Sequence, residues 1–345
     1  MDVLGRESLG AESTAAGARG RLGRYLATDG SLGAPVGVDL ARPHAGVVVG
    51  KRGSGKSYTL GVLAEALADA PGVAPVVVDP MGAFRGLAAA GLAVREPAVR
   101  ADALPPRAWC RLLDLDPASA AGTLVWRAAA ECDALAGMRE WVAGAHAGDA
   151  ARRAAANHLA LAASWGCFAP DAPRVGELLE GGSVLDCTGL AGAALRAVGC
   201  AVADALYRAA VEGARPLPWL LVDEAHACVS GPAADAVGTL YTRGRAPGAS
   251  VVLATQRPSA LPEAAVSQSD LVVAHRLTSG RDVDALAATR PTYLDGALGE
   301  RLPARTGDAL VVDDASESAV TVRVRERRTE HGGEERVVDR GETAG

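Results

Sequence analysis

Lysine is almost missing from this chain. Among 345 residues there are two, Lys51 and Lys56, and every other basic side chain except histidine is an arginine. Aromatic residues make up only 3%. Their scarcity excludes a ring-built core, so Ala, Val and Leu must supply it. It also argues against binding single-stranded nucleic acid by base stacking, which needs aromatic platforms. No C-x-x-C pair occurs: Cys110, Cys132, Cys167, Cys187, Cys200 and Cys228 are scattered singly. Zinc or disulfide use is therefore not expected, and these thiols read as small buried hydrophobes in a reducing compartment. The N-terminus has no apolar h-region, and no run of about 18 apolar residues exists, so neither a signal peptide nor a membrane span is expected. A cytoplasmic location without a membrane partner follows. The net charge of −6 gives no overall basic signature for nucleic acid, although a local basic channel is compatible with it.

What is there is organised around the stretch that holds both lysines. A β-branched run, Ala45 to Val49, ends in Gly50-Lys-Arg-Gly-Ser-Gly55-Lys56-Ser57 and opens into a helical pattern from Tyr58 to Ala68. Gly50, Gly55, Lys56 and Ser57 fill the template G-x-x-x-x-G-K-[ST] in the strand–loop–helix context it needs. Glycines let the backbone curl so that successive N–H groups face one anion, and the helix N-terminus adds positive potential. Lys56 is expected on the β- and γ-phosphates and the Ser57 hydroxyl on Mg²⁺. Arg52, Gly53, Ser54 and Tyr58 complete the expected ATP-binding set. An ammonium kept only here suits a point-charge phosphate contact, for which the planar arginine fork is no equivalent.

The rest of the chain alternates apolar strands with helical stretches, the rhythm of a parallel sheet. Residues 1–35 read as a loose leader, to about residue 23, running into a short hairpin, with turn signals at Asp29-Gly30 and Gly33-Ala-Pro35. Residues 36–103 form the first part of an α/β core, including the strand Val73 to Asp79. Residues 104–181 are Ala-rich with helical spacing and hold four of the five tryptophans, which predicts a helical insertion with its own small core. A packing lobe and a ligand or partner surface are equally open roles for it. Residues 182–325 return to sheet rhythm, and residues 326–345 form a charged tail whose end is expected to be flexible.

A second half of the site follows from strand ends. Trp219-Leu-Leu-Val-Asp223-Glu224-Ala-His226 is an apolar strand ending in paired carboxylates. Asp223 suits the Mg²⁺ shell, a hard oxygen ligand for a hard cation. Glu224 suits polarising the water that attacks the γ-phosphate. His226 either orients Glu224 or a phosphate sensor, or satisfies a strand-end hydrogen bond. Gln256, ending Ser250 to Thr255, is placed to sense the γ-phosphate or the attacking water, because ligands gather at the carboxyl ends of parallel strands. Arg245 is the first candidate for an arginine offered to a neighbouring subunit's γ-phosphate; Arg243 and Arg276 are the others.

With these stretches in hand, the chain resembles the HerA–FtsK superfamily of RecA-like P-loop ATPases, most closely its HerA-like branch. The matching pieces are Gly50 to Ser57, Val78-Asp79-Pro80, Leu220 to His226, and Gly244-Arg245 followed by Thr255-Gln-Arg-Pro258; Ser267-Gln268 to Leu277 is similar too. The resemblance covers residues 36–325. It implies a RecA-like core, ATP hydrolysis at subunit interfaces, and a homo-hexameric ring that moves double-stranded DNA. It implies Arg245 as the arginine finger and Gln256 as the strand-end glutamine. It also implies C-terminal strands reaching a neighbour, which Arg323 to Gly333 would supply. Fewer than fifty residues precede the phosphate loop here, so the family's usual N-terminal β-barrel is expected to be absent or vestigial. Because that barrel helps to dock a nuclease, a nuclease or other processing partner is a weaker implication. A nucleotide-switched oligomeric scaffold without translocation is the alternative reading.

Overall fold

The computed structural model describes residues 1–6, 17–288 and 297–332. Its strands are β1 (Asp2–Leu4), β2 (Arg19–Leu26), β3 (Leu32–Asp39), β4 (Ala45–Val49), β5 (Val73–Asp79), β6 (Ala93–Arg95), β7 (Ser183–Asp186), β8 (Leu217–Val222), β9 (Ser250–Thr255), β10 (Leu271–Ala274), β11 (Asp308–Asp313) and β12 (Ser318–Val324). The helices used below are α1 (Lys56–Ala68), α2 (Pro106–Leu112), α3 (Ala120–Glu131), α4 (Leu135–Gly144), α5 (Asp149–Ala163), α6 (Val175–Leu179), α7 (Gly192–Val211), α8 (Ala225–Cys228) and α9 (Pro232–Arg243).

All twelve strands join one sheet in the order β1-β3-β2-β12-β11-β10-β4-β9-β8-β5-β7-β6. From β10 to β6 every neighbour is parallel. Beyond β10, strands β11, β12, β2 and β3 continue antiparallel. The molecule is thus an α/β protein with a mainly parallel central sheet, as the strand rhythm predicts.

The apolar runs form central strands because both their faces are covered. β4, β5 and β9 are buried at every residue. Alternate side chains enter opposite cores, as the two-residue strand period requires. Val47, Val49, Val76 and Val78 join the core shared with α7 and α9. Val48 and Val77 join the core under α1. The register then decides where loops meet: Val49 lies opposite Thr255 and Ala274, and Val78 opposite Val222. The residues that follow these strands, Gly50, Gln256, His275, Asp79 and Asp223, therefore share one edge of the sheet.

Three expectations need correction. Residues 1–23 are not uniformly a loose leader: β1 pairs parallel with β3, and β2 begins at Arg19. The hairpin β2–β3 adds to the central sheet through β12, because Val36 and Val38 are apolar enough to join the core under α1. The helices between β6 and β7 do not enclose a separate core. Trp109, Val125, Met138, Val142 and Leu159 are fully buried in one cluster continuous with Val76 and Val198. Finally, the tail does not begin as free chain. Residues 325–332 dock on α1 of the same chain. The expected flexible end, from residue 333, lies outside the described residues. Among the described residues no helix is long and apolar enough to cross a membrane.

Candidate active site

The loop after β4 curls where glycine permits it. Gly53 (φ +72°) and Gly55 (φ +113°) adopt left-handed conformations that residues with a Cβ resist. Gly50 is constrained differently: a Cβ there would collide with Ser54 Oγ and lie 2.7 Å from His275 Cβ. Ser54 donates from its backbone N–H (3.2 Å) and its hydroxyl (2.8 Å) to the Lys51 carbonyl, closing the curl. Lys56 Nζ donates to the same carbonyl at 3.2 Å and is only 4% exposed. Burial lowers the pKa of this ammonium, and the charges of Glu224 and Asp223 pull it back up. A buried cation at the start of α1, beside N–H groups without intrahelical acceptors, makes an anion cradle.

The carboxylates lie where the register predicts. Ser57 Oγ donates to Asp223 Oδ2 at 2.8 Å. Asp223 is 1% exposed, and its other oxygen, Oδ1, is buried without a partner. Burial pushes its pKa up to about 6. A hydroxyl, a carboxylate and an orphaned carboxylate oxygen form a hard-oxygen donor set, which fits Mg²⁺. Glu224 turns the chain in the left-handed region (φ +43°), a conformation that costs about 1–3 kcal/mol outside glycine and clusters at functional sites. His226 Nδ1 lies 3.2 Å from Glu224 Oε2 and 3.2 Å from Thr255 Oγ1. Burial lowers the His226 pKa, so the ring is neutral at pH 7. Gln256 Nε2 approaches Glu224 Oε2 at 3.4 Å. His226 faces the carboxylate and the strand-end hydroxyl together.

A cavity of about 710 Å³ runs along this edge, within the ~300–1,000 Å³ usual for small-molecule sites. It brings together Arg52, Gly53, Gly55, Lys56, Ser57, Tyr58, Asp223, Glu224 and Gln256 from the predicted set. Gly50 and Ser54 sit behind it as parts of the curl. Arg245 is not brought there. Its guanidinium donates to Asp270 at 2.6 Å, and Asp270 accepts from the N–H of Ala45, where β4 begins. That is the opposite edge of the sheet from Gly50, and the Arg245 side chain is 65% exposed. Of the alternatives, Arg243 ends α9 and is exposed, whereas Arg276 adjoins the loop, its carbonyl accepting from Lys51 N–H at 2.7 Å.

Sequence reasoning missed several parts of this site. His275 is fully buried behind the loop, with Nε2 2.9 Å from Thr59 Oγ1 and Nδ1 2.8 Å from the Asp308 carbonyl. Burial takes its pKa down to about 4, which keeps it neutral beside Lys56. Asp79 shapes the loop after β5, accepting from the N–H groups of Met81, Ala83 and Phe84. The wall made by Thr306, Gly307, Val324, Glu326 and His331 was also unforeseen. Val78-Asp79-Pro80 is among the stretches that carry the resemblance, but the loop-shaping role of Asp79 is not read from it; the others arise from long-range packing.

The sheet order and the glycine-rich loop together define a RecA-like P-loop fold. Residues 21–141 match the family model for the central domain of helicase HerA. No curated protein matches the chain in sequence. Among solved structures, VirB4 of Thermoanaerobacter pseudethanolicus is similar at TM-score 0.66 with 14% identity, covering 89% of this chain and 96% of that one. The bacterial conjugative coupling protein TrwB, in its ΔN70 form, is similar at TM-score 0.55 with 17% identity, covering 84% and 87% respectively. At these identities the structural likeness speaks for the fold. Residues 21–141 thus resemble the HerA central domain in sequence, and the chain as a whole resembles VirB4 and TrwB in fold.

Proposed function

We propose that this chain hydrolyses ATP with Mg²⁺ and works as a ring-forming motor that translocates double-stranded DNA. The observation that carries the hydrolytic part is the meeting of three strand ends: Ser57 on Asp223, and His226 and Gln256 on Glu224. Lys56 and the α1 N-terminus hold the β- and γ-phosphates. Ser57 and Asp223 hold Mg²⁺, which when bound neutralises charge on those phosphates. Glu224 accepts the proton of the attacking water, while Gln256 fixes where that water stands. The neutral imidazole of His226 can donate from Nδ1 to Glu224 and aim its free lone pairs at the water.

The motor part rests on the family and on the position of Arg245. In its own chain this exposed guanidinium lies at the sheet edge away from the cradle, so it would act on a neighbour's γ-phosphate. Self-association into a hexamer, duplex DNA as the moved polymer, a processing partner and a cytoplasmic setting belong to this same proposal. With few aromatics, contacts to DNA would be with phosphates and strongly salt-dependent. The test is ATP hydrolysis measured with and without duplex DNA across several salt concentrations. Stimulation that fades as salt rises is expected. DNA-independent turnover with nucleotide-dependent assembly would instead favour the scaffold reading.

A further inference from the structure

The cradle, Asp223 and Glu224 do not account for all of the cavity's lining. It also includes Tyr58 of α1 and Val324, Glu326 and His331 from the C-terminal stretch of the same chain. Tyr58 and His331 touch edge to face, with ring centroids 5.8 Å apart and planes at 77°. In a chain with 3% aromatic residues, this pairing of rings beside a phosphate cradle calls for an explanation.

Residues 325–332 are built into place. Glu65 of α1 is fully buried and accepts from Arg328 N–H (2.8 Å), Thr329 N–H (2.9 Å) and Thr329 Oγ1 (2.8 Å). Arg325 reaches its other oxygen at 2.7 Å. The Arg327 side chain is 1% exposed and lies over the Phe84 ring. Its backbone N–H donates to Tyr58 Oη at 2.7 Å, and its guanidinium donates to His331 Nδ1 at 2.9 Å. One arginine therefore fixes both rings. Accepting at Nδ1 makes His331 a neutral ring with its hydrogen on Nε2. The approach leaves no room for side chains: a Cβ on Gly61 would lie 2.6 Å from the Arg327 guanidinium carbon, and one on Gly86 would collide with the Glu330 carbonyl. The stretch is also tied to the phosphate loop, since Gly307 donates to Ser54 and accepts from Val324.

We propose that this C-terminal stretch forms the nucleoside end of the site in its own subunit, with His331 and Tyr58 as the wall against which the base packs. The proposal rests on the phosphate cradle described above. A triphosphate held at the start of α1 leaves its nucleoside to extend past Tyr58, the residue after Ser57, toward His331. Flat apolar ring surface there suits a heterocyclic base, and Arg327 keeps that surface in place.

The test compares ATP with inorganic tripolyphosphate, which has the phosphates and no base. Affinities of both are measured calorimetrically with magnesium for the full chain, His331→Ala and His331→Phe. His331→Ala should weaken ATP about tenfold, within the range of base–aromatic stacking. It should leave tripolyphosphate unchanged, and His331→Phe should restore ATP. Equal losses for both ligands, or unchanged ATP affinity in His331→Ala, would overturn the proposal. So would tripolyphosphate binding the unsubstituted chain as tightly as ATP, with the cradle reading left standing. If the unsubstituted chain binds neither ligand, both readings fall together.

Discussion

Replacing Asp223 with asparagine should stabilise the free protein while removing its response to magnesium. Asp223 is 1% exposed and keeps one oxygen, Oδ1, without any partner. Burial raises its pKa from 3.8 to about 6. At ~1.4 kcal/mol per pH unit, holding it ionised in the folded chain costs about 3 kcal/mol at pH 7. Because the folded-state pKa lies above the unfolded one, the cost is absent below pH 3.8, grows between 3.8 and 6, and is complete above that. An asparagine carbonyl can still accept from Ser57. Its amide would take the place of Oδ1 and also lack a partner, at about 1 kcal/mol. The net gain is then about 1–2 kcal/mol at pH 7.5, a rise of a few degrees in melting temperature. Thermal melts from pH 5 to 8 should show the advantage of Asp223→Asn growing with pH and levelling above about 6. Adding MgATP should raise the melting temperature of the parent and leave the variant nearly where it was. A variant less stable than its parent at pH 7.5, or an advantage indifferent to pH, would refute the reasoning.

Glu224→Gln should retain ATP and lose turnover by about 10²–10⁴-fold, the usual contribution of a general base, as checked by phosphate release beside equilibrium binding of labelled ATP. Gly50→Ala forces a methyl onto Ser54 Oγ and His275 Cβ, so it should destabilise by about 1–3 kcal/mol and weaken nucleotide binding, both visible in melts with and without ATP. Glu65→Ala leaves Arg325 and the N–H groups of Arg328 and Thr329 without their buried acceptor. A loss of about 3–5 kcal/mol is expected, with faster hydrogen exchange confined first to residues 325–332.

The parts of the site that can be read from sequence are those whose chemistry is local. Gly50 to Ser57 states its own backbone shape, because the turn needs glycine at Gly53 and Gly55 whatever surrounds it. The strand ends at Asp223 and Gln256 are readable because a fully apolar run in a parallel sheet must finish at the ligand-bearing edge. Glu65 shows why other parts are silent. It sits in a helix as an acidic residue among alanines and leucines, which reads as a solvent-facing position. Its partners lie 260 to 264 positions away, in a stretch whose charge density reads as a loose tail. Charge density predicts solvation only when no buried counter-charge waits elsewhere, and nothing local reveals that counter-charge. The helical insertion fails for a related reason. Its tryptophans and leucines announce burial, but they cannot say whether they are buried against each other or, as Trp109 and Val125 are, in one cluster with the sheet.

The two lysines bring composition and structure to one point. Lys56 is buried against the Lys51 carbonyl, with two carboxylates pulling on a charge that burial opposes. A guanidinium carries five donors in a rigid plane, and each would need an acceptor in that space. The ammonium has three donors on a flexible stem and can exchange the Lys51 carbonyl for phosphate oxygens without moving the backbone. Arginine elsewhere does what its plane is good for: Arg327 lies over Phe84, and Arg323 pairs with Asp308 through two nitrogens. Lys56 thus stands where a compact cation fits better than a planar one, beside the loop where a triphosphate would be held.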